Sequence, residues 1–164
     1  MAGIESLGAD WAATNAALKD IIERLGTKRL LTMGGSGGGP GAVSHGLALG
    51  AGAILGLSGI YSGDARVRAR MNDTRARLVA HKAQRSAGSA ACHMPWHVEQ
   101  TRHRPPLHLC FGDDFPVDRG NAKQLAPFEN VTLFPLQALC GHLSAWRLLY
   151  ERRQDKAIDL ALGA

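Results

Sequence analysis

Five residues, Gly34-Gly35-Ser36-Gly37-Gly38, constrain the fold of this chain more than any other stretch. They follow the apolar run Arg29-Leu30-Leu31-Thr32-Met33 and lead into Ala42-Val43-Ser44-His45-Gly46-Leu47-Ala48-Leu49. The context predicts a strand, a sharp glycine-rich turn and a helix, with the pattern G-x-S-x-G at the turn. A serine in such a turn has strained backbone geometry, and side chains two positions either side would collide with the strand and helix that cross there. Gly34 and Gly38 are expected to remove those collisions. The Ser36 hydroxyl is then exposed at a helix N-terminus, where backbone N–H groups, that of Gly37 among them, favour negative charge.

The rest of the chain repeats the alternation. Asp10 to Leu25 reads as an amphipathic helix, with Trp11, Leu18, Ile21, Ile22 and Leu25 at helical spacing and Gly26 as its stop. Lys28 to Met33 reads as a strand and Gly37 to Leu49 as a helix of mostly small residues. Ala51 to Ser58 is apolar without alternation, as a strand covered on both faces would be. Residues 62 to 105 read as irregular and basic, with a helix near Asp73 to Lys82. Leu107 to Phe111 is a third strand, Pro116 to Leu125 a helix opening on proline, and Asn130 to Pro135 a fourth strand. His142 to Arg153 closes the chain as a helix, with a last turn at Ala157 to Leu162. Strands alternating with helices predict one α/β domain over 1–164, three layers around a short, mostly parallel sheet. Every strand's C-terminal end then lies on one edge, where such sheets carry their sites.

Composition narrows the class. Hydrophobic residues make up 45% and charged residues 20%, which is ordinary for a globular protein. No apolar run approaches the roughly 20 residues of a membrane span, and Met1 to Ser6 lacks a signal-peptide pattern. Three cysteines without C-x-x-C spacing indicate neither a disulfide framework nor a zinc site. A cytoplasmic protein without a metal or other cofactor is the expectation. The net charge of +5 is concentrated between Gly63 and Pro106, where nine Arg and Lys face three acids. That excess suits an acidic substrate or a solvated, arginine-rich face; no nucleic-acid module accompanies it.

Three residues fall at the ends of predicted strands in the order Ser, Asp, His. Ser36 follows the first, Gly112-Asp113-Asp114 the third, and Gly141-His142 the fourth. A serine hydroxyl is a weak nucleophile. An imidazole can take its proton and return it to the leaving group, and a carboxylate fixes and stabilises that imidazole. Leu30 to Gly39 resembles the nucleophile elbow of the α/β-hydrolase superfamily. Leu109-Cys110-Phe111-Gly112-Asp113-Asp114-Phe115-Pro116 resembles its acid turn, and Val131 to Pro135 with Gly141-His142 resembles its final strand and histidine loop.

The resemblance implies Ser36 as nucleophile, Asp114 as the orienting acid and His142 as base. Gly34, Gly37 and Gly38 would shape the elbow and its oxyanion site. Asp113 and Asp118 compete with Asp114, which stands nearer the strand end; Asp118 reads as a solvated helix-start residue. The residues before Lys28 look helical, so the resemblance implies a truncated sheet without the superfamily's first strands. Its free edge could pair with a second copy. The implied activity is hydrolysis or transfer of an ester or similar acyl bond on a small-molecule, carbohydrate-linked or acidic substrate. Two other classes stay open: a non-catalytic interaction domain of the same fold, and a nucleotide- or phosphate-binding domain. The latter has a formal G-x-G-x-x-A at Gly37 to Ala42 but lacks the acidic residue expected at the second strand's end.

Overall fold

The computed structural model describes residues 6–75 and 93–137, together with 141, 142, 148, 151, 155, 158 and 159. Most of the expected closing helix lies outside these residues. So do residues 76–82 of the expected basic helix, whose first three residues, Asp73 to Arg75, are not helical, the last turn beyond Asp159, His81, Cys92 and Cys140.

Helix α1 (Trp11–Arg24) starts where Asp10, in extended conformation, accepts the Ala13 N–H at 2.8 Å. It stops at Gly26, whose φ of +60° a side chain would resist. Strand β1 (Leu31–Gly35) runs through a one-turn 3-10 helix at Ser36–Gly38 into helix α2 (Gly39–Ala48). Strand β2 (Ala53–Leu57) is buried at every position. Two short helices follow, α3 (Ala65–Arg70) and α4 (Met94–Gln100). Strand β3 (Leu107–Gly112), helix α5 (Pro116–Lys123) and strand β4 (Val131–Leu136) complete the described elements.

The four strands are parallel and lie in chain order, β1-β2-β3-β4. Alternate residues serve opposite faces. Ile54, Leu107, Leu109 and Phe111 pack with Val43, Leu47, Met94 and Leu125 on one side. Ala53, Leu55, Leu57 and Cys110 pack with Leu148 on the other. The architecture is thus the α/β layering expected, with a short, wholly parallel sheet.

The small residues of α2 have a packing role. A Cβ on Gly46 would strike Thr32 and Ile54, so the helix lies close on β1 and β2. Thr32 Oγ1 donates to the Ala42 carbonyl at 2.8 Å across this contact. On its outer side α2 meets α1, where Asn15 Oδ1 lies 2.8 Å from His45 Nδ1 and Trp11 stacks on the same ring.

The stretch expected to be irregular contains α3 and α4. Asp64 caps α3 by accepting from the Arg66 and Val67 N–H groups, and Pro95 opens α4. Met94 and Val98 are fully buried under α2, while Trp96 between them is exposed, so one side of α4 packs into the fold. No helix of the described residues is long and apolar enough to cross a membrane.

Candidate active site

Among the described residues, Ser36 is one of three non-glycine residues with positive φ, at +50°. Such a conformation costs a residue with a side chain roughly 1–3 kcal/mol and persists only where its surroundings impose it. Gly34 is one such constraint, because a Cβ there would collide with the Gly38 carbonyl and Ala42. The second close approach belongs to Gly39, where a Cβ would lie 2.7 Å from Gly59 Cα. It does not belong to Gly38, which the sequence suggested: the space beside Gly38 is open and its φ is an ordinary −80°. The space beside Gly37 is open as well, so the turn faces outward on that side.

Ser36 Oγ lies 2.7 Å from Nε2 of His142, a residue 106 positions away. The structure therefore brings these two together. It does not bring Asp114 to the imidazole. Asp114 is exposed and accepts the Gly141 N–H at 3.2 Å. The carboxylate on His142 belongs to Asp118, with Oδ2 2.9 Å and Oδ1 3.1 Å from Nδ1. Asp118 lies in the first turn of α5, only 1% exposed. The expected solvated helix-start residue is thus turned inward, while the residue nearer the strand end is spent on the histidine loop's backbone. Asp113 lies 3.5 Å from Arg119 on the surface.

A second layer was not anticipated from the sequence. Arg75 Nη1 lies 2.6 Å from Asp118 Oδ1. The same guanidinium grips Asp73 with two nitrogens, Nε to Oδ1 at 3.0 Å and Nη2 to Oδ2 at 2.9 Å. Asn121 donates to Asp73 Oδ2 at 2.9 Å and accepts the Tyr61 N–H at 3.0 Å. Burial alone would raise the Asp73 carboxyl; hydrogen bonds from Arg75 and Asn121 outweigh it and hold Asp73 below its ordinary value. Burial opposes the Arg75 charge, and Asp73 and Asp118 more than restore it. One of the nine basic residues is therefore consumed inside the fold.

Three other described histidines lie elsewhere. His93 contacts Ser62 Oγ at 3.1 Å, His103 contacts the Ala51 carbonyl at 2.9 Å, and His108 packs on Phe134. Among the described residues no group of three His, Cys, Asp or Glu is placed to hold a metal ion.

No protein-family model and no curated protein matches the sequence. Solved structures do match. One is an α/β hydrolase from Vibrio vulnificus, 18% identical, with a TM-score of 0.60; the match covers 92% of this chain and 56% of that one. Another is MGS-MChE2, an α/β-hydrolase enzyme from the metagenome of lagoon sediments at Mar Chica, Morocco. It is 17% identical with a TM-score of 0.51, over 88% of this chain and 70% of that one. The chain spans little more than half the length of the first. At these identities the likeness concerns architecture alone: the chain has the α/β-hydrolase fold.

Proposed function

We propose that this chain is a serine-dependent acyl-transfer enzyme, a hydrolase of an ester or similar acyl bond. The observation that supports this reading is Ser36 Oγ at 2.7 Å from His142 Nε2, with the buried Asp118 carboxylate on the far nitrogen of the same ring. Ser36 attacks the acyl carbon while its proton passes to Nε2. Asp118 stabilises the imidazolium so formed, and His142 then gives the proton to the departing alcohol. Water repeats the sequence on the acyl-enzyme and regenerates Ser36. The Gly37 N–H, in the first turn after the serine where no intrahelical acceptor exists, is the donor for the developing oxyanion. The open space beside Gly37 gives the substrate its approach. The substrate class is a small-molecule or carbohydrate-linked ester, and the exposed arginines of α3, Arg66 and Arg70, favour an acidic one.

A fluorophosphonate probe tests the reading. Stoichiometric modification of Ser36, absent in Ser36→Ala, is the expected result. A folded wild-type protein that stays unmodified after prolonged exposure would overturn it.

A further inference from the structure

Two nitrogens of Arg68, Nε and Nη1, are covered from solvent and have no hydrogen-bond partner among the described residues. A guanidinium keeps its charge throughout the pH range of folded proteins. A covered donor without an acceptor is costly, and more so when charged; such groups are rare in native folds. Arg68 lines a pocket of about 360 Å³ together with Ala65, Ala69, Asn72, Asp73 and Thr74. That volume suits a small molecule. The electrostatics of the pocket favour an anion. Asp73 is the one carboxylate lining it, and both of its oxygens are taken, by Arg75 and by Asn121. Asp64, at the far end of α3, is spent on the Arg66 and Val67 N–H groups. The carbonyls that end α3 would repel an anion, but those of Val67, Arg68 and Ala69 already accept the N–H groups of Met71, Asp73 and Asn72. Arg66 and Arg70 stand exposed on the same helix.

We propose that this pocket binds a small-molecule oxyanion, a carboxylate or phosphate group, that pairs with Arg68. The planar guanidinium suits either group. The exposed side chains of Asn72 and Thr74 donate to the remaining oxygens. No polar contact among the described residues holds the Arg68 guanidinium where it lies, so its long side chain turns to the anion at little cost. The site borders the candidate catalytic group without belonging to it. Asp73 lines the pocket and holds Arg75, whose Nη1 reaches Asp118. The binding stands apart from the acyl-transfer reading. That reading bears only on the source of the anion, which is either the acidic end of the substrate or a separate ligand.

Inorganic phosphate is the probe, titrated at constant ionic strength into nitrogen-15-labelled full-length chain, with the Arg68 Nε–H signal assigned through Arg68→Gln. That signal is expected to shift and saturate. Arg68→Gln is expected to weaken the binding about ten- to a hundredfold, as the loss of a hydrogen bond to a charged group does. Arg66→Gln and Arg70→Gln should each weaken it less than about fivefold. A signal that does not move, or equal losses in the three variants, overturns the site. Arg68→Gln removes a covered, unpaired charge, so in phosphate-free buffer it is expected to melt no lower than the wild type. A clear loss of stability, or failure to fold, overturns the premise that Arg68 is unpaired. Turnover of p-nitrophenyl succinate and p-nitrophenyl acetate then separates the two sources. Phosphate that raises KM for the succinate alone marks the acidic end of a substrate; phosphate that acts on both esters alike, or on neither, marks a separate ligand. Saturable binding with no turnover of either ester leaves the site standing and counts against the acyl-transfer reading instead.

Discussion

Asp118 Oδ2 lies 2.9 Å from His142 Nδ1, and the two differ sharply in environment: the Asp118 side chain is wholly buried, the His142 side chain 28% exposed. A buried carboxylate against a partly wetted imidazole keeps its orientation and meets little competition from water.

That contrast separates two neighbouring acids. Asp118→Asn is expected to slow phosphonate labelling and ester turnover roughly 10³–10⁴-fold, because the amide no longer stabilises the charged ring. Asp114→Asn, which alters only an exposed contact with the Gly141 backbone, is expected to cost less than about tenfold by the same comparison. Comparable losses in the two variants would argue against the assignment of the acid.

Backbone strain at Ser36 should be measurable. Ser36→Gly removes the penalty of a side chain at φ +50° and is expected to raise stability by about 1 kcal/mol while abolishing labelling. The urea midpoint reports the first effect and the probe the second. A destabilised Ser36→Gly would mean that the hydroxyl contributes more to folding than its conformation costs.

The two close approaches around the turn predict a pattern in glycine replacements. Gly34→Ala and Gly39→Ala force backbone apart and are expected to destabilise by about 1–3 kcal/mol. Gly38→Ala enters open space at helical φ and is expected to be neutral or stabilising by up to about 1 kcal/mol. Thermal melts of the three variants check the order, and a Gly38→Ala loss matching that of Gly34→Ala would contradict it.

Acid should act through Asp73. Its carboxyl titrates below the ordinary 3.8 in the folded chain, so the unfolded chain binds the proton more readily. The stabilisation is present above the ordinary value and is lost as pH falls through the lower folded one. Asp73→Asn is expected to lower the unfolding midpoint at neutral pH and to flatten its fall in acid. Equal acid sensitivity in wild type and variant would place the titrating group elsewhere.

Much of the sheet was readable because each strand is a short apolar run bounded by glycine or proline. The turn was readable because Ser36 and its glycines are local in sequence, although Gly39 carries a constraint first ascribed to Gly38. The order Ser, Asp, His came from strand ends, but the choice of acid did not. Asp114 and Asp118 are four residues apart, and which one turns inward depends on how α5 seats its first turn against the sheet. The starts of α3 at Asp64 and of α4 at Pro95 were missed in a stretch dominated by its charge, although a capping aspartate and an opening proline are local signals. Arg75, Asp73 and Asn121 had no local signature, since their meaning lies in contacts spanning 43 to 67 residues for Arg75 and 48 for Asp73 with Asn121.

The chain-order sheet carries a kinetic consequence. Neighbouring strands are about 4.8 Å apart, so the ends of β1 and β4, three spacings removed, stand about 14 Å from each other. Ser36 leaves one margin of the sheet and His142 follows the strand at the other. The two side chains nonetheless lie 2.7 Å apart, a contact that requires all four strands to be in place. In refolding, far-ultraviolet ellipticity should therefore return before phosphonate reactivity does, Ser36 being present throughout but without His142 beside it until the final closure.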